Sequence, residues 1–366
     1  MALTPEHVRD ALSTVEDPEL HQDLVSLGMV KDVVVDGKDV SIVVELTTPA
    51  CPLKDKIGGD VEAAVRSKAA ELDEEIGEVK IDFTADVRKA NERVRDADNP
   101  LPKVKNIVAV GAGKGGVGKS TVAVSLAVGL ARHGAAVGLL DGDIYGPSLT
   151  TMLGLDQIQP MMAGEMLLPF EVHGIKAMTI GRLVSPDSAL IWRGPMAHGA
   201  FSQLATQTEW GELDYLIVDL PPGTGDVPLT LGQLLPLTGA VIVCTPQKVA
   251  VDDAVRAARM FQQLGVDVLG IVENMSYFIG DDGKEYDIFG RGGAEAMAER
   301  LGLPFLGGVP INTALRENCD TGNPLANFAG DDGLARNLDD LCRNLAAQIS
   351  IAAATGGSAK PTMTIS

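Results

Sequence analysis

The stretch Asn106–Thr121, which reads NIVAVGAGKGGVGKST, constrains the fold of this chain more than any other. Ile107–Val110 is apolar and largely β-branched, which favours a strand buried in a parallel sheet. The residues from Gly113 to Ser120 then match the phosphate-binding pattern G-x-x-x-x-G-K-[ST] at every position. Good helix formers follow in Thr121–Arg132. Because the pattern needs a strand before it and a helix after it, this context predicts a nucleotide-phosphate site.

The residue types in this loop suit phosphate binding. Backbone N–H groups must converge on phosphate oxygens, and a Cβ on Gly115, Gly116 or Gly118 would obstruct that approach. The positive end of the following helix points at the same phosphates. We expect Lys119 to reach the β- and γ-phosphates of ATP and the Ser120 hydroxyl to ligate Mg²⁺. The residues expected to contact the nucleotide in this loop are Gly113, Lys114, Gly115, Gly116, Val117, Gly118, Lys119, Ser120 and Thr121.

Two further apolar runs end in aspartates, as expected where a parallel sheet places its ligands. Ala136–Leu140 is followed by Asp141 and, two residues on, by Asp143. We expect Asp143 to orient the attacking water and Asp141 to support Mg²⁺ through water, the alternative being helix-capping aspartates in a turn. The strand Leu216–Asp219 closes with Asp219, which is expected to hold Mg²⁺ and its water shell.

Two later segments belong to the same predicted domain. The apolar run Val268–Glu273 is expected to end just before Asn274, whose amide is placed to read the adenine amine and ring nitrogen. The amphipathic helix Asp331–Ile349 is expected to face the core, because its polar face is not rich in Lys or Arg. Cys244 and Cys342 fall on the predicted core strand and on this helix, and are expected to be structural.

The first 90 residues predict a separate small α/β domain with the element order αββαβ. Its notable residue is Cys51, in the string TTPACP, directly before Pro52. If Pro52 is the first residue of the next helix, the thiol lies at a helix N-terminus, where the macrodipole lowers its pKa and favours metal binding. A half-buried structural cysteine at a turn is the alternative.

The charge, the apolar runs and the cysteines of the sequence argue against several classes of protein. The formal net charge is −20 and the pI is near 4.6, which argues against binding to nucleic acid or to anionic membranes. The sequence contains no apolar run long enough for a transmembrane helix, and MALTPEHVRD is not a secretory signal. The four cysteines form neither a C-x-x-C pair nor a disulfide framework. We therefore expect a cytoplasmic protein.

The predicted organisation has four parts. Residues 1–90 form the small domain, residues 91–104 a polar linker, residues 105–350 the nucleotide-binding domain and residues 351–366 a flexible tail. The predicted fold class is α/β, with a doubly wound, mostly parallel sheet in the larger domain.

With Lys114 after the first glycine, the loop resembles the deviant phosphate loop of the MinD/ParA/nitrogenase-iron-protein group of P-loop NTPases. That resemblance implies that Lys114 reaches the phosphates of a partner subunit across a nucleotide-bound homodimer. The string TTPACP resembles the small SufT-type iron–sulfur assembly domain and implies a functional Cys51. Taken with Asp141–Ser148, Arg193–Met196 and Asp219–Asp226, the motifs resemble the Mrp/ApbC family of iron–sulfur cluster carrier ATPases.

The family resemblance implies a protein that receives a [4Fe–4S] cluster and passes it to apo-proteins while it hydrolyses ATP as a homodimer. Its partners would be apo iron–sulfur clients and a cluster assembly scaffold, with no nucleic acid and no membrane. Many members carry C-x-x-C after the N-M-S string, but here Gly280 and Gly283 stand at those positions and cannot ligate iron. Cys51 is then the leading candidate ligand. Cys319 is a weaker one, and a surface loop cysteine is its favoured interpretation.

Two other functions remain open at this stage. A positioning ATPase of the MinD/ParA type needs a basic surface or a basic amphipathic tail, and neither is visible in the sequence. An ATPase that chaperones or regulates metalloprotein maturation without holding a cluster is compatible with the missing C-x-x-C.

Overall fold

The chain divides into two compact units, Met1–Arg88 and Lys89–Ser366. The computed structural model describes residues 3–89, 99–183, 194–223, 234–280, 282–330 and 333–354, and of residues 194, 195, 197 and 198 the backbone alone. Parts of several predicted segments lie outside the described residues: residue 90 of the small domain, 91–98 of the linker, Arg193, Thr224–Asp226 after the third strand-end aspartate, residues 331 and 332 of the predicted core-facing helix, and 355–366 of the tail.

The N-terminal unit is a three-stranded sheet covered by two helices. Helix α1 begins as predicted behind Thr4, whose hydroxyl accepts from the backbone N–H of His7 at 3.3 Å. The central strand pairs antiparallel with the first strand and parallel with the last. The elements are α1 (Pro5–Leu12), a short ribbon β1 (Glu16–Asp17) and β2 (Gln22–Asp23), β3 (Val30–Asp36), β4 (Asp39–Leu46), α2 (Lys54–Glu71) and β5 (Val79–Ala85).

The predicted start of α2 is wrong by two residues, and the error bears on Cys51. The helix begins at Lys54, so Pro52 and Leu53 form a turn before it. Leu53 is partly buried and packs against the hydrophobic core of the unit. The side chain of Cys51 belongs to that core and is 8% exposed. The thiol therefore does not lie directly at a helix N-terminus.

The second unit is built on a mostly parallel sheet, as predicted. Its central strand β6 (Val104–Gly111) is flanked by β12 (Leu213–Asp219) on one side and β13 (Gly239–Cys244) on the other. The direction of winding therefore changes beside β6, and in doubly wound sheets ligands bind at the carboxyl ends of the strands at this point. The remaining strands are β7 (Val137–Asp141), β8 (Met161–Ala163), β9 (Met166–Leu168), β10 (Phe170–Val172), β11 (Ile175–Met178), β14 (Val268–Ile279), β15 (Glu285–Tyr286) and β16 (Phe305–Ile311).

Most strands of this unit belong to one main sheet. The strand order in the main sheet is β10-β11-β7-β12-β6-β13-β14, with β15 and β16 both paired to β14. Of these pairs, β10–β11 and β14–β15 are antiparallel. The described helices are α3 (Lys119–Arg132), α4 (Leu149–Met152), α5 (Gly194–Thr206), α6 (Lys248–Gln263), α7 (Gly293–Leu301), α8 (Thr313–Asp320) and α9 (Gly333–Ala354).

Two predicted boundaries in this unit are wrong. Strand β14 does not end before Asn274 but continues to Ile279, with a register shift between Asn274 and Phe278. Helix α9 runs to Ala354, so residues 351–354 of the predicted tail are helical; their helix packs through buried residues as far as Ile349 and Ser350. Among the described residues, no helix combines the length and the apolar character needed to cross a membrane.

Candidate nucleotide site and the cysteines

The phosphate-binding loop connects β6 to α3 in a conformation that needs its glycines. Gly116 has φ of 80° and Gly118, the N-cap of α3, has φ of 81°, which is the left-handed region that glycine tolerates. A Cβ on Gly113 would overlap the backbone of Asp253, and one on Gly118 would overlap Asn274. A Cβ on Gly116 would meet nothing within 4 Å. The loop is thus packed on one side and open on the other.

Lys119, the first residue of α3, is held by an aspartate. Its side chain is 7% exposed, and its Nζ donates to Asp219 Oδ1 at 2.6 Å. The same Nζ lies 3.3 Å from Ser120 Oγ and 3.9 Å from Asp143 Oδ2. The motif lysine and the three polar groups predicted from the sequence, on α3, β12 and the loop after β7, therefore meet around one ammonium group.

The carboxylate of Asp219 is completely buried, and Lys119 offsets only part of the cost of burying its charge. Burial raises its pKa above the usual range, and the neighbouring Lys119 acts in the opposite direction. Within the described residues, its second oxygen, Oδ2, has no hydrogen-bond partner. A buried carboxylate oxygen without a partner is costly, and a hydrated cation would satisfy it. This oxygen fits the predicted Mg²⁺ role, because Mg²⁺ keeps several waters and binds through one or two protein groups plus phosphates.

Asp141 is more enclosed than its predicted Mg²⁺ role suggests. Its carboxylate is buried and accepts from the Thr179 hydroxyl at 2.9 Å and from the backbone N–H of Asp143 at 3.1 Å. Burial, followed by the charge of Asp219, raises its pKa to about 7. These contacts fix the turn that carries Asp143. Asp141 therefore positions Asp143, in addition to its predicted role of supporting Mg²⁺ through water.

The other predicted site residues take distinct places. Asp143 accepts from the backbone N–H of Gly146 at 3.2 Å, with its second oxygen towards Lys119. Lys114 is half-buried and forms no ion pair with any described residue. Asn274 is 4% exposed and donates from Nδ2 to the carbonyl of Val117 at 2.8 Å. The predicted contact of Asn274 with adenine stays a prediction.

Three features near the site were not predicted. Thr179 follows β11, which pairs in parallel with β7, and strand order would have been the signal for its contact with Asp141. Gly223 donates its backbone N–H to Ala112 at 2.9 Å and so ties the segment after Asp219 to the phosphate loop. Glu273 is buried and accepts from the backbone N–H groups of Gly292 and Ala294 at 2.9 and 2.8 Å, which caps α7.

All four cysteines are buried. Burial, with the charge of Glu273, raises the pKa of Cys244 to about 12, and burial also raises the pKa values of Cys319 and Cys342. Raised pKa values disfavour the thiolate that binds metal. The prediction that Cys319 is a surface loop cysteine is wrong, because it lies on α8 and is 7% exposed through packing of that helix.

The positions predicted to replace C-x-x-C form a tight hairpin. The backbone N–H of Gly283 donates to Gly280 at 2.9 Å, and a Cβ on Gly280 would lie 2.8 Å from the ring of Tyr286. Within the described residues, no group of three or more His, Cys, Asp and Glu side chains is placed to hold a metal ion.

Comparison with known proteins agrees with this geometry. Residues 103–346 match the ParA family model described as NUBPL iron-transfer P-loop NTPase, and residues 5–79 match the FeS_assembly_P model described as iron-sulfur cluster assembly protein. A protein of Synechocystis named iron-sulfur cluster carrier protein is 48% identical over 357 residues, covering 96% of this chain and 99% of the relative. One of the same name from Deinococcus radiodurans is 50% identical, covering 93% and 94%.

A solved structure supports the fold of the larger unit. The nucleotide-binding protein of Archaeoglobus fulgidus, solved in complex with ADP, superposes with a TM-score of 0.56 at 40% identity, covering 63% of this chain and 93% of that one. The family and the fold class predicted from the sequence are confirmed. This chain belongs to the NUBPL iron-transfer family of P-loop NTPases and carries an N-terminal iron–sulfur cluster assembly domain.

Proposed function

We propose that this P-loop NTPase is an ATP-dependent carrier that receives a [4Fe–4S] cluster as cargo and passes it to apo-proteins. The observation that carries the proposal is the pairing, in one chain, of a complete phosphate site around Lys119 with an iron–sulfur assembly domain. Relatives named iron-sulfur cluster carrier protein match this chain over nearly their whole length. A scaffold that loads the cluster and apo-proteins that accept it are the proposed partners.

In the nucleotide site we assign each polar group a role. When nucleotide binds, Lys119 would contact the β- and γ-phosphates and Ser120 would ligate Mg²⁺. Asp219 would hold the water shell of that ion, and its Oδ2, which has no hydrogen-bond partner among the described residues, supports this role. Asp143 orients the attacking water, 3.9 Å from the ammonium of Lys119. The chemistry that Mg²⁺ supplies when bound is neutralisation of charge on the transferring phosphoryl group.

The active form is proposed to be a homodimer. Lys114 forms no ion pair with a described residue of its own chain, which suits a lysine that meets the phosphates of a partner subunit. The three cysteines of the ATPase unit, Cys244, Cys319 and Cys342, form no disulfide, which suits a reducing compartment, so we infer a cytoplasmic protein.

Cys51 is the proposed cluster ligand. Cys51 lies in a loop between β4 and α2, in the unit that matches the iron–sulfur cluster assembly model. In the ATPase unit, the two positions that would carry C-x-x-C are glycines. One thiolate per chain cannot complete a cluster, so the proposal requires ligands from a second copy or from a small thiol.

The test is anaerobic reconstitution with ferrous iron and sulfide, followed by iron counting and visible absorption. We expect iron on the wild type and on the matched control Cys319→Ser, but not on Cys51→Ser or Cys51→Ala. Cys51→Ser places a hydroxyl in the core, whereas Cys51→Ala removes the thiol without adding a polar group, so loss of iron from both variants indicates loss of a ligand. Circular dichroism checks that both variants fold. If Cys51→Ala still loads fully, Cys51 is not the ligand.

A second function is favoured by the hairpin with Gly280 and Gly283, which offers no thiol. In this alternative the protein is an ATPase that assists metalloprotein maturation without holding a cluster. It predicts that neither the wild type nor any variant retains iron while ATP is still bound.

A further inference from the structure

The carboxamide of Asn274 contacts the backbone of the phosphate loop. Its Nδ2 donates to the Val117 carbonyl at 2.8 Å, and a Cβ on Gly118 would overlap this nitrogen. The side chain is 4% exposed, so the carboxamide is shielded from bulk solvent. Buried amides are costly to leave unpaired, and this contact therefore favours one arrangement of the loop.

The backbone that carries Asn274 is itself held in an unusual conformation. Met275 has φ of 58°, which is uncommon for a residue with a side chain, and the register of β14 shifts in this region. On the other side of Asn274, the buried carboxylate of Glu273 accepts from the backbone N–H groups of Gly292 and Ala294. These contacts fix Asn274 independently of the phosphate loop.

We propose that Asn274 is a positioning residue for the phosphate loop, which it holds in the conformation that binds phosphate. In a planar trans peptide the carbonyl and the following N–H point in opposite directions. Fixing the carbonyl of Val117 towards β14 therefore turns the N–H of Gly118 away from β14. This inference rests on the proposed nucleotide function and differs from the adenine contact predicted from the sequence.

The two roles predict different binding patterns. A residue that reads adenine affects ATP alone and leaves ligands without adenine unchanged. A residue that shapes the loop affects every ligand that carries the phosphates, by a similar factor. Inorganic tripolyphosphate, which has no base, separates the two roles most directly, and GTP tests the choice of base.

The experiment measures the affinities of the full-length protein for ATP, GTP and inorganic tripolyphosphate, each with Mg²⁺. We expect Asn274→Ala to weaken all three about tenfold, which corresponds to one buried hydrogen bond, with an unchanged ratio of ATP to GTP affinity. Asn274→Asp keeps the size of the side chain but cannot donate to Val117, and is expected to weaken all three as well. The matched control is Asn344→Ala, which removes a carboxamide that donates to the Leu306 carbonyl at 2.9 Å, away from the loop.

Amide hydrogen exchange of the ligand-free protein gives an independent readout. We expect faster exchange in residues 113–118 of Asn274→Ala and no change there in Asn344→Ala. Loss of ATP affinity alone, or unchanged affinities in both Asn274 variants, would overturn the proposal. A wild type that binds none of the three ligands would overturn the nucleotide function itself, so the two failures are distinguishable.

Discussion

Buried charges in this chain are stabilised to different degrees. Lys119 and Asp219 compensate each other at 2.6 Å inside the nucleotide site. Glu19, in the N-terminal unit, has no such partner among the described residues, and its Oε1 is buried without a hydrogen bond. Burial, and then the charge of Asp17, raises the pKa of Glu19 to about 7. Such a group makes folding depend on pH.

We expect Glu19→Gln to stabilise the protein at pH 8 and to have little effect near pH 4. From pH 4.5 to about 7 the unfolded chain loses the proton that folded Glu19 retains, so the wild type loses stability as the pH rises through this window. The gain at pH 8 is of the order of 1 kcal/mol, because partial exposure screens the effect. Urea unfolding followed by circular dichroism measures it, with the exposed Glu16→Gln as control. Equal stabilisation at both pH values would contradict the titration.

The elements of the site differ in how far the sequence predicts them. The phosphate loop was predicted because its glycines, Lys119 and Ser120 follow a local pattern whose geometry needs little tertiary context. The start of α2 is predicted two residues too early, because the preference of Pro52 for the first helical position is a local tendency, whereas the turn at Pro52 and Leu53 forms in a tertiary context in which Leu53 packs against the core. The sequence does not predict the length of β14. That length depends on the pairing of β14 with β15 and β16 and on Met275, which has a left-handed backbone conformation.

The close packing of helices α3 and α9 at Gly129 leads to a separate prediction. Helices α3 and α9 approach closely where Gly129 faces Cys342, and a Cβ on Gly129 would overlap its sulfur and lie 3.0 Å from Phe328. We expect Gly129→Ala to lower the free energy of unfolding by about 1–3 kcal/mol, although alanine favours helix more than glycine. Adding Cys342→Ala should restore much of this loss by making space.

The measurement is thermal unfolding of both variants beside a matched control. Gly199→Ala changes a helical glycine of α5 whose Cβ would meet nothing within 4 Å, so it should be neutral or slightly stabilising. If the two glycine variants behave alike, close packing at Gly129 does not limit stability.

The two proposed activities, cluster binding and nucleotide binding, belong to different units of the chain. Cys51 belongs to the core of the N-terminal unit, whereas Lys119 and Asp219 belong to the second unit. Each unit has its own sheet. Loading of iron and binding of nucleotide should therefore be separable by single substitutions, and only cluster transfer should require both.

We expect Lys119→Ala to load as much iron as the wild type but to bind Mg-ATP at least 100-fold more weakly, because it removes the cation that meets the phosphates. Cys51→Ser should show the reverse pattern. Transfer to an apo-ferredoxin, followed by the absorption of the acceptor, should be accelerated by Mg-ATP in the wild type alone. If Lys119→Ala transfers its cluster with the same ATP response as the wild type, then ATP does not act through this site. That result would contradict the proposal that ATP binding around Lys119 drives cluster transfer.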